Sequence, residues 1–244
     1  MTRHVLVTGA SAGIGAAVAR MLAPGNRISL GARRVERLAG IVPDAFHGRL
    51  DVTDQNSVDA FLESAVERNG PVDVLVNNAG LARGVERIAD ADGDAWREMI
   101  ETNVLGVLNV TRRVVPSMIR RGDGHVVMIG SIAAYQTYEG GSVYCASKRA
   151  LQAIGEGLRL ETLGTGVRVT SVDPGMVETE FSLVRFRGDQ ERAAKVYDGV
   201  RPLTPEDVAE CVAFAVSRPP HVDIDVILVK PTDQAAVGKV HRRT

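Results

Sequence analysis

The chain has 244 residues, which is enough for a substantial hydrophobic core and within the range of one large α/β domain. Its 29 lysines and arginines and 30 acidic residues give a formal net charge of −1, so no bulk attraction to nucleic acid or to an anionic membrane is indicated. The two cysteines predict neither a disulfide framework nor a metal site. With no signal peptide and no apolar run near the ~20 residues of a membrane span, we expect a cytoplasmic protein.

The first predicted element is an apolar strand at residues 5–7, followed by a glycine-rich turn and an alanine-rich helix at 13–22. The glycines of the turn allow a tight bend, let a phosphate approach the backbone, and let the helix pack close to the strand. Backbone N–H groups at the helix start then favour a pyrophosphate. The pattern predicts a dinucleotide site formed by Gly9, Ser11, Ala12, Gly13, Ile14 and Gly15.

The second predicted strand, residues 27–30, is followed by two arginines and no acid. An NAD site usually places an Asp or Glu near this point, where it accepts a hydrogen bond from the ribose 2′-OH. Arg33 and Arg34 instead suit a 2′-phosphate, because guanidinium groups bind phosphate oxygens and an acid would repel them. We therefore predict NADP as the cofactor. The alternative is that both arginines belong to the solvated first turn of a helix expected at 35–40.

Polar residues follow the third and fourth predicted strands. We expect Asp51 and Val52 to reach the adenine ring, although Asp51 could be only an acid at the start of the next helix. The fourth strand runs into Asn-Asn-Ala-Gly, whose amides can satisfy backbone groups where the chain turns beside the cofactor. Asn78, Ala79 and Gly80 are therefore assigned to the cofactor site.

A long helix is predicted at residues 94–121, with Asn103 in its interior. Asparagine is a poor residue for a helix interior, so its presence suggests a kink or a water site. The same helix carries a face that suits either a seam between two copies of the chain or its own core: Val104, Leu108, Thr111 and Val115.

Tyr144 and Lys148 are four residues apart in a helix predicted at 142–163, so their side chains share one face. A phenol has an ordinary pKa near ~10, and a nearby ammonium stabilises its ionised form. Ser131 follows the strand predicted at 125–129, and its hydroxyl could hold a substrate oxygen against Tyr144. These groups predict proton transfer for an alcohol/carbonyl pair. The alternative is a chance Tyr-x-x-x-Lys pair on a surface helix.

The loop after the sixth strand contains Pro174, Gly175, Val177 and Thr179. Its backbone and Thr179 could hold the carboxamide of a nicotinamide, or the loop could be a plain turn. Residues 177–198 then form a long, charged insertion on the side where α/β sheets bind ligands, which predicts a lid over the substrate.

These elements alternate between strand and helix, which predicts one doubly wound, Rossmann-type parallel sheet with helices on both faces. Residues 1–244 are expected to form a single domain. The predicted strands are residues 5–7, 27–30, 46–50, 72–76, 125–129, 167–172 and 226–229. The predicted helices are about 13–22, 35–40, 55–69, 94–121, 142–163 and 205–217.

Along its whole length the chain resembles the short-chain dehydrogenase/reductase family. The resemblance rests on residues 8–15, Asp51, residues 77–80, Asn103, Ser131, Tyr144, Lys148 and residues 174–179. It implies that Tyr144 is the catalytic acid/base and that Ser131 orients the carbonyl. It also implies that Lys148 binds the nicotinamide ribose and lowers the pKa of Tyr144, while Asn103 helps to hold a water in a proton relay. Family members usually form homodimers or homotetramers.

A narrower resemblance is to bacterial NADP-dependent 3-hydroxy acid dehydrogenases, and it rests on residues 78–82, 184–189, 203–208 and 240–242. That branch oxidises L-serine and related 3-hydroxy acids and reduces malonic semialdehyde. Such substrates carry an anionic group near the reacting carbon, so the pocket should hold a cation. Arg185 and Arg187 in the predicted lid are the candidates. They could instead be solvated, or paired with Asp189 or Glu191.

The segment before Tyr144 is expected to shape substrate choice. Tyr135, Gln136 and Tyr138 are predicted to border the substrate, and an inward-facing Glu139 would repel a carboxylate. Residues 230–234 also resemble reductases that make alcohols in antibiotic pathways, so an aldehyde on a bulkier metabolite is the alternative substrate. A further alternative is a redox sensor that binds NADP without catalysis. Such a sensor could lack Tyr144, Lys148 or Ser131, whereas all three are present in this chain.

Overall fold

Seven parallel strands form the centre of the computed structural model, which describes residues 2–243. The strands are β1 His4–Thr8, β2 Arg27–Ala32, β3 Phe46–Arg49, β4 Val74–Asn77, β5 Gly124–Ile129, β6 Val167–Pro174 and β7 Val226–Val229. Their order across the sheet is β3-β2-β1-β4-β5-β6-β7. The chain therefore winds outward from β1 in one direction and then in the other. This is the doubly wound Rossmann-type sheet predicted from the sequence.

Helices cover both faces of the sheet. They are α1 Gly13–Leu22, α2 Gln55–Asn69, α3 Gly93–Ile100, α4 Gly106–Arg121, α5 Ser142–Glu161, α6 Phe181–Arg185, α7 Gln190–Lys195 and α8 Pro205–Val216. On one face α1 and α8 pack through Val18 and Val212 in the same core as Val7. On the other face α2, α4 and α5 surround Leu6. Neighbouring residues of one strand thus pack into the hydrophobic cores on opposite faces of the sheet. No helix within residues 2–243 is long and apolar enough to cross a membrane.

The long helix predicted at 94–121 is divided into α3 and α4 by one π-helical turn, Glu101–Leu105. Asn103 is buried in this turn, so the predicted irregularity is present as a wider turn of helix. Of the helix face that could form a seam between copies or pack in its own core, Thr111 and Val115 belong to the core. Thr111 accepts a hydrogen bond from Asn77 at 2.9 Å, and Val115 is buried in the core of its own chain.

Two further segments differ from their predictions. The helix expected at 35–40 is a single 3₁₀ turn, Val35–Arg37. A hairpin of β8, Gln234–Ala236, and β9, Lys239–Val240, follows the sheet and was not predicted. Strands of so few residues show no hydrophobic period in the sequence. The predicted lid, residues 177–198, contains α6 and α7.

The segment after β7, residues 230–243, contacts both ends of the predicted lid, and we call it the C-terminal strap. At the start of the lid, the Gln234 side-chain oxygen accepts a hydrogen bond from the Met176 backbone N–H at 2.8 Å. Beyond its end, the Arg243 backbone N–H donates to the Gly199 carbonyl at 2.7 Å. The strap therefore holds the two bases of the lid.

The close approach of α1 to the sheet depends on Gly15. A Cβ atom at this position would lie 2.4 Å from Asn78 Nδ2 and 2.7 Å from the Gly9 carbonyl oxygen. We expect Gly15→Ala to lower the free energy of unfolding by about 1–3 kcal/mol, the usual cost of overpacking, in a urea titration.

The matched control for this substitution is Gly157→Ala in α5. A Cβ atom at Gly157 would meet no atom within 4 Å. This substitution should therefore stabilise the protein, by up to about 1 kcal/mol, because alanine favours the helix. Equal effects of the two substitutions would contradict the close packing at Gly15.

Candidate active site

A cavity of roughly 870 Å³ lies at the carboxyl edge of the sheet, where the loops after β1 to β6 come together. Most of the predicted cofactor residues line it: Gly9, Ser11, Ala12, Gly13, Ile14, Arg33, Arg34, Asp51, Val52, Asn78, Ala79, Gly80, Tyr144, Lys148, Pro174, Gly175, Val177 and Thr179. Gly15 lies behind the turn, against Asn78. Residues that are far apart in the sequence are thus brought together around one space.

The first turn of α1 is open to an anion. Gly9 and Gly13 adopt φ values of 64° and 56°, in the left-handed region that favours glycine. The N-cap residue Ala12 offers no side-chain hydrogen bond, and the first turn contains no acid. By contrast, Asp54 caps α2 and Thr204 caps α8. The free N–H groups and the positive end of α1 therefore fit the pyrophosphate of a dinucleotide.

Thr8 and Asn78 attach the glycine-rich turn to β4. The Asn78 side-chain amide donates to the carbonyl oxygens of Thr8 at 2.9 Å and Gly9 at 3.1 Å. In return, the Thr8 hydroxyl accepts from the backbone N–H groups of Asn78 and Ala79, both at 3.0 Å. The asparagine amide thus satisfies the backbone of the turn, in the way predicted from the sequence.

The end of β2 is rich in guanidinium groups, because Arg33, Arg34 and Arg37 all line the cavity. Arg34 donates to the Ser11 hydroxyl at 3.2 Å and to the Glu180 carboxylate at 2.8 Å. Arg37 donates to both oxygens of Glu180, at 2.8 and 3.0 Å. Donors of this kind beside the glycine-rich turn fit a 2′-phosphate. Arg37 was not predicted, since its position in the sequence suggests only the next helix.

Asp51 and Val52 both line the cavity below β3. One oxygen of Asp51 accepts hydrogen bonds from the Thr53 backbone N–H at 3.1 Å and from its hydroxyl at 2.8 Å. Asp51 therefore stabilises a turn, while the helix start itself is capped by Asp54. Contact of Asp51 and Val52 with an adenine ring stays a prediction.

Ser131, Tyr144 and Lys148 meet on one wall of the cavity. The Lys148 ammonium lies 5.9 Å from the centre of the Tyr144 ring and donates to the Ile129 carbonyl at 2.9 Å. Ser131 forms a hydrogen bond with the Tyr144 phenol and accepts one from the Ala133 backbone N–H at 3.1 Å. The α5 helix therefore presents Tyr144 and Lys148 on the same face, beside the end of β5.

Burial is the largest influence on the ionisation of these groups. It raises the pKa of Tyr144, against the hydrogen bond from Ser131 and the charge of Arg185. Burial also lowers the pKa of Lys148 to about 8, against the carboxylate of Asp173. Arg185, 5.9 Å from the ring, lowers the pKa of Tyr144, and the same effect of Lys148, which the resemblance implies, stays a prediction. Tyr144 is therefore held as a neutral phenol.

Asn103 lies behind the cavity wall and joins two parts of the site. Its side chain accepts from the Leu81 backbone N–H and donates to the Leu81 carbonyl, both at 2.8 Å. It also donates to the Ser147 hydroxyl at 3.0 Å, and Ser147 donates to the Tyr144 carbonyl at 2.7 Å. Asn103 thus fixes the turn of α5 that carries Tyr144. Its predicted part in a water relay stays a prediction.

The structure corrects the prediction that Tyr135 and Gln136 border the substrate. Neither residue lines the cavity. The Tyr135 hydroxyl donates to the Asp173 carboxylate at 2.5 Å, and the Gln136 side-chain oxygen accepts from the Val237 backbone N–H at 3.0 Å. The reason is that both side chains bind other segments: Tyr135 contacts β6, and Gln136 contacts the C-terminal strap. Tyr138, the third residue of that prediction, does line the cavity.

Arg185 lines the cavity from the lid. It donates to the Gly84 carbonyl at 2.9 Å and to the Tyr138 hydroxyl at 2.7 Å. Within residues 2–243 no carboxylate lies within 4.0 Å of its guanidinium group. Its positive charge therefore faces the space next to Tyr144 with only neutral partners.

Arg187 and Glu139 are placed differently from Arg185. Arg187 also lines the cavity, but it is 63% exposed and lies 3.8 Å from the Asp92 carboxylate. Glu139 is 72% exposed and pairs with Arg87 at 2.6 Å. Glu139 therefore points to solvent, and the repulsion that an inward-facing acid would exert on an anionic substrate is absent from this arrangement.

Two cavity residues had no signal in the sequence. The ring of Phe181 in α6 lies 5.7 Å from the ring of Tyr144, centre to centre. Arg83 donates to both carboxylate oxygens of Glu98 in α3, at 2.5 and 2.6 Å, and to the Val184 carbonyl in α6. Only the tertiary structure brings these partners together, because their spacing in the chain follows no helical or strand period.

Comparison with known proteins gives a consistent assignment. The family model described as short chain dehydrogenase matches residues 3–189. The chain is 42% identical to the NADP-dependent 3-hydroxy acid dehydrogenase of Schizosaccharomyces pombe, over 99% of this chain and 97% of that protein. It is 38% identical to the serine 3-dehydrogenase of Agrobacterium fabrum over the full length of both. The closed form of a serine dehydrogenase complexed with NADP+ superposes with a TM-score of 0.93, at 40% identity over 98% of this chain and 100% of the other.

The lowered pKa of Lys148 gives a test of the electrostatics of the site. The folded protein releases this proton near pH 8, whereas the unfolded chain releases it near 10.5. Between these values the unfolded chain binds more protons, so Lys148 makes stability rise with pH. Relative to Lys148→Met, the wild-type free energy of unfolding should increase by about 2–3 kcal/mol from pH 8 to pH 10.5 in urea titrations.

The control is Lys195→Met, which removes a lysine that is 65% exposed. The difference between wild type and this variant should change little over the same pH range. A flat difference for Lys148→Met would contradict the assignment of a lowered pKa to Lys148.

Proposed function

We propose that this chain, which belongs to the short-chain dehydrogenase family, is an NADP-dependent oxidoreductase that interconverts a small 3-hydroxy acid and its carbonyl form. One observation carries the proposal. The acid/base group Tyr144, its partner Ser131 and the dinucleotide-binding turn of α1 all face one cavity at the carboxyl edge of the sheet. The relatives named for 3-hydroxy acids and serine support the substrate class.

The chain's own residues fit NADP. The uncapped start of α1 offers N–H groups to the pyrophosphate, and the predicted pair Arg33 and Arg34, together with Arg37, offers guanidinium groups to the 2′-phosphate. Lys148 lies next to Tyr144 and Thr179 lies against Gly13, and both line the cavity, where they are proposed to hold the nicotinamide riboside. When bound, the cofactor supplies or accepts the hydride.

The proton is handled by Tyr144. In the reducing direction its phenol donates the proton to the carbonyl oxygen of the substrate, while the Ser131 hydroxyl donates a hydrogen bond to the same oxygen. The phenolate left behind is stabilised by the positive charge of Arg185, which opposes the effect of burial. In the oxidising direction the phenolate accepts the proton from the substrate alcohol. The raised pKa keeps the phenol protonated at neutral pH, so Tyr144 starts the reducing direction as a proton donor.

Arg185 is the proposed partner of the substrate carboxylate. It is next to Tyr144, as the short distance between the carboxylate and the reacting carbon of a 3-hydroxy acid requires. It has only neutral hydrogen-bond partners, so an anion would complete its coordination. Arg187 is less suited, because it is more exposed and already lies near Asp92.

We also propose that the enzyme is a cytoplasmic homo-oligomer, either a dimer or a tetramer. Two separate surfaces carry exposed apolar side chains that symmetric contacts would cover. One is on α4 and the π-helical turn before it, with Leu105 and Leu108 exposed by 49% and 39%. The other is on α8 and β7, with Phe214, Val226 and Leu228 exposed by 50%, 45% and 42%. A single-chain mass in light scattering would contradict an oligomer.

Tyr144→Phe removes the proton donor and keeps the ring. We expect turnover to fall by about 10²–10⁴-fold, the usual contribution of general acid–base catalysis. NADPH affinity, measured by calorimetry, should change little. The matched control is Tyr135→Phe, which removes the same atom outside the cavity and should keep most of the turnover. Similar turnover in both variants would refute the role of Tyr144.

Arg185→Gln tests the substrate class. For malonic semialdehyde we expect kcat/KM to fall by about ten- to a hundredfold, because a hydrogen bond between charged groups is lost. For propanal, a neutral aldehyde of similar size, kcat/KM should fall by a smaller factor, because the substitution then removes only the stabilisation of the Tyr144 phenolate. Arg187→Gln is the control and should leave both values close to those of the wild type.

Other results in this assay would point elsewhere. A wild type that prefers neutral or bulky cyclic aldehydes would favour the reductases of bulkier metabolites. Binding of NADPH without turnover of any aldehyde would favour a redox sensor. Each outcome would overturn the proposed 3-hydroxy acid activity.

A further inference from the structure

The Glu180 carboxylate lies between two arginines that line the cofactor cavity. Arg34 donates to one of its oxygens at 2.8 Å, and Arg37 donates to both, at 2.8 and 3.0 Å. Arg34 also donates to Ser11 in the glycine-rich turn at 3.2 Å. Glu180 thus lies next to the phosphate-binding turn of α1, although it belongs to the lid and comes more than 140 residues later than either arginine.

An acid at the end of β2 usually distinguishes NAD from NADP, because it accepts a hydrogen bond from the ribose 2′-OH and repels a 2′-phosphate. Here β2 itself provides no such acid, and Glu180 supplies a carboxylate to the same neighbourhood from the lid. Two guanidinium groups face this one carboxylate, so the cluster keeps a net positive charge. Such a cluster can exchange a carboxylate for a phosphate dianion with a gain in electrostatic attraction.

We propose that Glu180 is an internal substitute for the 2′-phosphate of NADP, and that the phosphate displaces it from Arg34 and Arg37 when the cofactor binds. The proposal rests on the NADP-dependent function proposed above. Glu180 is then a residue that determines cofactor specificity, because only a cofactor with a 2′-phosphate can replace the ion pairs that Glu180 gives up. A cofactor without that phosphate leaves Glu180 in place.

The position of Glu180 connects this exchange to the catalytic tyrosine. Glu180 immediately precedes α6, and its carbonyl accepts the Val184 backbone N–H at 2.9 Å in the first turn of that helix. The next residue is Phe181, whose ring lies 5.7 Å from the ring of Tyr144. Release of the Glu180 side chain therefore removes one of the contacts that hold the segment packed against Tyr144, beside those of Arg83 and Arg185. Binding of the 2′-phosphate is then coupled to the arrangement of the lid.

Glu180 is suited to this part because it stays ionised. The hydrogen bond from Arg34 lowers the pKa of its carboxyl group, and that from Arg37 adds to the effect. Both ion pairs are also more than 40% exposed on each side, so they are weak enough to exchange. A fully buried pair would be too costly to separate.

The test compares adenosine 2′,5′-bisphosphate with adenosine 5′-monophosphate, which differ only in the 2′-phosphate, by calorimetry on the whole protein. The wild type should bind the bisphosphate more tightly. Glu180→Gln should bind it about three- to tenfold more tightly than the wild type does, because the competing ion pairs are gone. Binding of the monophosphate should be unchanged by the substitution.

The matched control is Glu206→Gln, which removes an exposed ion pair with Arg20 outside the cavity. It should leave both affinities unchanged. A Glu180→Gln variant with unaltered or weaker bisphosphate binding would overturn the proposal, because Glu180 would then be neutral or helpful to the phosphate. A wild type that does not prefer the bisphosphate would instead refute the NADP-dependent function itself.

Hydrogen exchange gives a second readout that does not depend on affinity. In the wild type, the bisphosphate should speed exchange at the backbone amides of residues 180–186, and the monophosphate should not. In Glu180→Gln these amides should already exchange fast without either nucleotide. If these amides exchange at the same rate in wild type and variant, with and without the bisphosphate, Glu180 does not control the lid and the proposed coupling is overturned.

Discussion

The attachment of the glycine-rich turn to β4 is the interaction on which the site depends. The Asn78 amide holds the carbonyls of Thr8 and Gly9, and Gly15 leaves the space that this amide occupies. This contact sets the position of the start of α1 relative to the middle of the sheet. Because the start of α1 is the proposed phosphate-binding end of the cavity, its placement would also decide where a dinucleotide can lie relative to Tyr144.

Burial then determines the chemistry at the other end of the cavity. It raises the pKa of Tyr144 and lowers the pKa of Lys148, so both groups are moved toward their neutral forms. Charges contributed by Arg185 and Asp173 work against these shifts. The pKa values of Tyr144 and Lys148 are thus set by burial in a low-dielectric environment and by a few fixed charges. A substrate anion near Arg185 would change the contribution of these charges during the reaction.

Much of the fold and the cofactor site could be predicted from the sequence, because short patterns determine them. An apolar strand followed by a glycine-rich turn requires a particular backbone, and the structure contains it at Gly9 and Gly13. Asn103 gave a local signal too, since an asparagine inside a helix implies an irregular turn. Tyr135 and Gln136 were misplaced because their partners, Asp173 and Val237, are distant in the sequence. Arg37, Phe181 and Glu180 were missed for the same reason: their roles arise from tertiary contacts that no local period records.

The C-terminal strap joins the predicted lid to the wall of the cavity, because Gln234, Val237 and Gly238 line that cavity. The Gln234 side chain accepts a hydrogen bond from the Met176 backbone N–H, and the Arg243 backbone N–H donates to the Gly199 carbonyl. Neither contact therefore depends on the side chain at residue 176 or 199. The strap therefore connects both ends of the predicted lid to one short segment that also forms part of the cavity wall. An insertion or deletion within residues 230–243 would disturb both ends of that predicted lid and the cavity wall together.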